Sequence, residues 1–441
     1  MVCASLLVFP AFSEDTKADE GFNFGMDMEL GAETFNDSGT PVSYQKLSLN
    51  PDISFGKVGI GMAITLHYRF DDGNGNFDFR DEDWVPSGER TFLDIYLPLF
   101  RYIRYGHKGD PLYGKIGSID DGTLGNGFLM GGYSNTNFLP ERRIVGLALD
   151  LDGSLFNFPY LGIETFTGNL AKFDVFGTRL YARPLLELGM PIIKNLQIGV
   201  TYAMDRDPNA LGTFVSSAQP DKVTMYGLDF MQPVLSSDLF SLALFGDFDI
   251  QGASGSKTRA ATGGLLGFGG KLIGFMNYGL NALFLGDNYV PFYFDSAYDL
   301  YREAKYEMYT GAITIPAYSG WLASLGFSFL DDNLSFSTSL DGAFKIDPAV
   351  DATYPHLKAS FVVGEDILPG IFFDASYDKR YIKNWGDLVS PENAVIGADI
   401  NYKTGPAVIT LGYDLRYVAN PEAGNSNWET TAKLSTSISL F

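Results

Sequence analysis

Residues 57–70 read KVGIGMAITLHYRF, and in this run every second side chain is apolar. Val58, Ile60, Met62, Ile64, Leu66, Tyr68 and Phe70 form one set. Lys57, Gly59, Gly61, Ala63, Thr65, His67 and Arg69, all small or polar, form the other. Side chains on a strand alternate between its two faces, so this segment as a strand has one apolar face and one wet face. At about 3.3 Å per residue and a tilt near 45°, the run climbs about 30 Å, the depth of a bilayer's hydrocarbon layer. Strands of soluble proteins have a mode of about 5–6 residues. The pattern therefore predicts a strand that crosses a membrane.

The same alternation recurs along the chain. It runs through Phe22, Phe24, Met26, Met28 and Leu30, through Leu196, Ile198, Val200, Tyr202 and Met204, and through Ala407, Ile409, Leu411, Tyr413, Leu415 and Tyr417. It weakens over 153–190, where Phe166, Phe176 and Leu180 do not hold one parity. No apolar run approaches the roughly 18 residues of a transmembrane helix. Lipid cannot satisfy a sheet edge, so strands that span a bilayer must close into a barrel. Tight turns are expected at 56–57, 106–110, 235–238, 331–333 and 403–406, alternating with longer polar stretches such as 71–90, 120–141, 206–221 and 287–316. Short periplasmic turns and long external loops are the plan of outer-membrane barrels. The expected fold is all-β: one transmembrane antiparallel β-barrel of about 18–20 strands, with no linker or composition shift dividing residues 14–441.

The formal net charge of −22 argues against nucleic acid, whose phosphates such a chain would repel. The single cysteine, Cys3, lies in the opening stretch MVCASLLVFPAFSE, which resembles the apolar core and cleavage region of a secretory signal peptide. Ala11 and Ser13 place cleavage before Glu14, making residues 1–13 the expected leader. No G-x-S-x-G elbow, H-E-x-x-H pair or phosphate-cradling G-x-x-x-x-G-K-[ST] occurs, and there are only 3 histidines, so no enzyme is expected.

The chain closes WETTAKLSTSISLF, ending on Phe441. A terminal phenylalanine on an alternating strand resembles the closing strand of Gram-negative outer-membrane β-barrels, porins among them. Counting back in twos gives Ser439, Ser437 and Ser435, where that family carries further apolar residues. The resemblance implies residence in the bacterial outer membrane among its lipids, and recognition of Phe441 by the barrel-assembly machinery. It also implies a channel for passive diffusion of small hydrophilic solutes, and it leaves a homotrimer open. The alternative is a surface barrel with an occluded lumen, acting as adhesin or receptor.

If the apolar faces meet lipid, then Lys57, His67, Arg69, Asp247, Asp249, Asp341, Lys345, His356, Lys358, Asp374, Asp378, Asp414 and Arg416 face the lumen. In porins the third external loop folds inward, its acids opposing a basic wall. By that resemblance Asp120, Asp121 and Glu141 of the 120–141 loop would face Arg101, Arg179 and Arg183, with Arg69 also lining the pore, and the transverse field would orient passing solutes. In DDGNGNFDFRDED, Asp72, Asn74, Asn76, Asp78 and Asp83 hold positions 1, 3, 5, 7 and 12 of an EF-hand-type series. Phe77 replaces the glycine of the sharp turn, and Asp83 the longer glutamate. A structural Ca2+ in this loop is weighed against an unliganded acidic loop, and no other cofactor is expected. Residues 294–309 read as one short helix, with Tyr298, Tyr301, Tyr306 and Tyr309 on an aromatic side.

Overall fold

The computed structural model describes residues 21–37, 40–70, 77–86, 92–138, 143–212, 214, 220–237, 239–252, 259–330, 333–390, 392–417 and 428–439. The wall begins with β1 (Phe22–Asp37), β2 (Thr40–Phe55), β3 (Val58–Met62, continued by Ile64–Phe70), β4 (Phe100–Tyr105) and β5 (Leu112–Gly117). Next come β6 (Gly146–Asp152), β7 (Leu161–Thr167), β8 (Val175–Ala182), β9 (Gln197–Asp205), β10 (Val223–Ser236), β11 (Ser241–Gln251) and β12 (Ala261–Leu272). The wall is completed by β13 (Met276–Leu285), β14 (Tyr318–Phe329), β15 (Leu334–Ala343) and β16 (His356–Leu368). Last are β17 (Ile371–Lys379), β18 (Ala394–Thr404), β19 (Ala407–Tyr417) and β20 (Trp428–Ser439).

Each strand pairs antiparallel with the next, and β1 closes on β20 with Asp27 opposite Ser439 and Gly31 opposite Ser435. The result is a closed barrel of 20 strands, the upper end of the range expected from sequence. Closure leaves no sheet edge, which is what allows strands to sit in lipid. Among the described residues no helix is long and apolar enough to cross a membrane. Residues 1–20 and Phe441, which include the leader and the terminal signal, lie outside the described residues.

The burial pattern is that of a soluble protein turned inside out. On β8, Leu180 is 60% exposed while its neighbour Arg179 is 2% exposed. On β11, Phe248 is 51% exposed and Asp249 only 2%. Apolar side chains point outward to where lipid lies and charged ones point into the lumen, as in membrane barrels. The strand at 58–70 obeys this parity, with Gly59, Gly61, Ala63 and His67 buried on the inner face. It is, however, interrupted. Ala63 leaves the ladder to donate its N–H to the Leu99 carbonyl, and β3 changes partner there. Val58–Met62 pairs with β4, whereas Tyr68–Phe70 pairs with the short strand Phe77–Phe79. Lys57 belongs to the turn and bonds Asp110 of the next turn at 3.1 Å, so the expectation that it faces the interior is corrected. Lys345 likewise follows β15 and is exposed in the connection beyond it.

Candidate functional site: a lumen narrowed by two loops

Counted at the end opposite the tight turns, the third connection, described over 118–138 and 143–145, and the seventh, 286–317, both turn into the barrel. The first reaches the middle of the wall. Asn126 Nδ2 donates to the carbonyls of Phe230 on β10 and Gly246 on β11 and to Asp247 Oδ2. The Gly125 N–H donates to Glu164 of β7. The second loop lies against the first: Met130 forms a parallel bridge with Phe294, and the Phe292 N–H donates to the Phe128 carbonyl. Phe128, Met130, Tyr133, Phe294 and Tyr298 are fully buried, so the two loops share an apolar core inside the barrel. Burying such side chains stabilises by about 1.5–3 kcal/mol each. We call this unit the plug.

The wall is shaped to receive it. A Cβ on Gly177 of β8 would meet Met130 and Leu124 at 2.6 and 2.7 Å, and one on Gly263 of β12 would meet the Tyr289 ring at 2.4 Å. These positions need glycine because the plug's side chains occupy the space a Cβ would take. The expected helix over 294–309 is shorter in the structure. A 3-10 turn at Tyr298–Leu300 precedes the helix α1 (Arg302–Thr310), which ends on Gly311 with φ 75°. Of its tyrosines, Tyr298 and Tyr309 are buried in the plug core, and Tyr306 packs against it. Arg302 and Lys305 are buried too. Arg302 binds Asp174 at 2.9 Å, Asp205 at 3.3 Å and Asp299 at 2.8 Å. Lys305 binds Asp295 at 2.8 Å and donates to the carbonyls of Phe292 and Tyr293. Burial brings its ammonium down to about 8.

The plug fills one sector of the lumen, against β5–β14. Along β15–β17 the inward side chains keep partial exposure: Ser337, Ser339, His356, Lys358, Ser360, Asp374, Ser376 and Asp378. His356 Nε2 lies 2.8 Å from Asp378 and its Nδ1 3.5 Å from Asp341. Lys358 and Arg380 flank Asp378 at 4.0 and 3.6 Å. Arg380 also stands over the Tyr301 ring of the plug, at 5.6 Å. The open sector is thus a polar strip of hydroxyls and mixed charge, bounded by the plug's edge.

The candidate residues from sequence are distributed as follows. Arg179 is held within the wall by Asp229 at 2.5 Å, Glu164 at 3.3 Å and Gln197 at 3.0 Å. Arg101 binds Asp52 of β2, and Arg183 binds Asp152 and the Pro159 carbonyl beside the short-turn end. Arg69 binds Asp78 at the opposite end. Asp120 is paired with Lys115, Asp121 accepts from Thr123, and Glu141 lies outside the described residues. The structure therefore brings the 118–145 loop into the lumen but gives Asp120 and Arg179 separate partners. Of the calcium-type series, Asp72, Asn74 and Asn76 lie outside the described residues. Asp78 is bound by Arg69, and Asp83 by His67 and Arg80. Among the described residues no cluster of acidic, histidine or cysteine side chains is placed to hold a metal ion. Sequence reasoning missed Arg302, Lys305 and Arg380, whose only signal was a basic residue beside tyrosines in the longest loop and at a strand's end.

No protein-family model and no curated protein matches the chain. Among solved structures the chain is similar to Pseudomonas aeruginosa OpdK, at 12% identity and a TM-score of 0.36, covering 96% of this chain and 99% of that one. It is similar to P. aeruginosa OpdL at 8% identity and a TM-score of 0.34, covering 95% and 99%. It is also similar to P. aeruginosa OccK2 (OpdF) in complex with glucuronate, at 12% identity and 0.34, covering 96% and 99%.

Proposed function

We propose that the protein is an outer-membrane channel that passes small hydrophilic solutes by passive diffusion. The observation that carries this reading is the sector β15–β17, whose inward faces are polar and partly exposed beside a plug that covers only the other side. An apolar outer band with a polar inner face supports a barrel that lives in lipid and conducts through its interior. Solutes would pass along the β15–β17 face beside the plug, past Lys358 and Asp378, where charges of both signs set ion preference, while the contact of Arg380 with Tyr301 marks the plug's edge. Arg101, partly exposed opposite Asp52, would line the wider lumen. Arg179 would act as a structural group. Export by residues 1–13 and assembly through Phe441 belong to the same proposal.

A second reading is a surface receptor with a sealed lumen, favoured by the fully buried aromatic core that the two loops share. Conductance separates the two. Purified folded protein in a planar bilayer is expected to show discrete openings that persist without added voltage ramps or ligands; a complete lack of openings would refute the channel.

A further inference from the structure

Arg302 is the one cation among the charged side chains of its cluster, and it faces three carboxylates from three elements. Asp174 precedes β8, Asp205 ends β9, and Asp299 lies one turn before Arg302 in the same loop. Arg302 is 1% exposed and all three acids are fully buried. The Asp207 N–H donates to Asp205 Oδ1 at 2.9 Å, and the other side chains that bond the cluster are tyrosines. Tyr133 of the 118–145 loop donates to Asp299 at 3.2 Å, and Tyr298 donates to Asp205 at 2.7 Å. Tyr293 lies beside Tyr298, its ring tilted by 48° at 5.5 Å between centroids. From β10 the neighbour is the apolar Val223, which pairs with Asp205. The next cation, Lys305, is bound by its own carboxylate, Asp295. Asp174 Oδ1 is buried and accepts no hydrogen bond, while Arg302 binds the other oxygen, Oδ2.

One guanidinium cannot balance three ionised carboxylates in a dry site, because each unpaired buried charge carries a large desolvation penalty. The arrangement is stable only when the cluster also holds protons. It is also the joint of the plug. Through it the 286–317 loop touches the wall at two strands and the 118–145 loop at Tyr133.

We propose that the Arg302 cluster is a proton-dependent latch, which pins the plug in the lumen while protonated and loosens it when a proton is lost. This rests on the channel reading only for its effect on current. Burial pushes the Asp299 carboxyl above its usual range, against the pull of Arg302. In a loop released to water that carboxyl returns to about 3.9. The latched state therefore binds more protons than the released one. Its stability is fully present below about pH 4 and falls as pH rises through the raised value.

The test is amide hydrogen exchange of the folded protein in detergent at pH 5 and pH 8, corrected for intrinsic rates, with segment 241–251 as internal reference. We expect protection over 286–317 to fall tenfold or more at pH 8 while 241–251 stays constant. Asp299→Asn is expected to keep the pH 5 protection at pH 8. Asp174→Asn, which removes charge on the wall side, gives the same result as Asp299→Asn if the latter folds poorly. Equal protection of 286–317 at both pH values in the natural protein, or neutral variants that follow its pH dependence, would overturn the latch. Exchange that behaves as expected with no bilayer current at either pH would leave the latch standing and defeat the channel reading.

Discussion

Two sectors of the same barrel solve opposite problems with the same strand pattern. In β5–β14 the lumen face meets protein: Val175, Ala203, Val223 and Met225 are fully buried, and Gly177 and Gly263 yield their Cβ space to the plug. In β15–β17 the same face carries Ser337, Ser339, Ser360 and Ser376, all of which stay partly exposed. The outer faces of both sectors are equally apolar, with Leu266 and Phe361 both exposed. What the inner face touches therefore decides its chemistry. Alternation reports the lipid side everywhere and the lumen side only where the lumen is wet.

Substitutions can break or sharpen that contrast. The largest effect is expected at Arg179, whose removal strands Asp229 in a dry wall. Arg179→Met should cost about 3–5 kcal/mol in urea unfolding of the folded barrel. Ion selectivity should hardly change, because wall carboxylates already neutralise this charge. In the open sector Lys358→Ala should do the reverse, shifting reversal potentials toward cations with little loss of stability. Next in size is the lipid face. Leu266→Arg should destabilise by about 2–4 kcal/mol if it sits at the bilayer midplane, whereas Ser337→Arg on the open lumen face should lower conductance without that cost.

Overpacking comes third. Gly263→Ala drives a methyl into the Tyr289 ring and should cost about 1–3 kcal/mol, displacing the 286–317 loop and raising current. Gly397→Ala meets only the movable tips of Ser376 and Asp414, at 2.8 and 3.0 Å, and should be nearly silent. A smaller effect than that of Gly263→Ala belongs to Asn126→Ala, which leaves the loop tip without its bonds to Phe230 and Gly246. About 1 kcal/mol of local stability should go, read as faster amide exchange over 122–131.

The contrast also explains what the sequence disclosed. The outward set Val58, Ile60, Met62 and Leu66 and the set Ile409, Leu411 and Tyr413 were legible because lipid demands apolar residues at every second position. The stretch 153–190 was not legible, because Phe166 and Val175 are lumen-facing residues that pack on the plug. Where the inner face is apolar as well, as at these two residues, the contrast between the faces is lost. The inward fold of the 118–145 loop was read from its place in the chain. Its electrostatics could not be. That Arg179 meets Asp229 depends on the register of β8, β9 and β10, and that Arg302 meets Asp174 and Asp205 depends on a loop crossing the lumen. Neither pairing leaves a local trace in spacing or composition. Ala63 shows the same limit on a smaller scale: fourteen alternating positions conceal the point at which β3 changes partner.

The most direct measurement of the two-sector account is thiol modification during single-channel recording, on a background with Cys3→Ser. Ser337→Cys on the open sector and Thr201→Cys on the plugged one are treated with a charged methanethiosulfonate from either side of the bilayer. The account predicts a rapid stepwise fall in current for Ser337→Cys and no change for Thr201→Cys. Equal block at both positions, or block at Thr201→Cys alone, would contradict it.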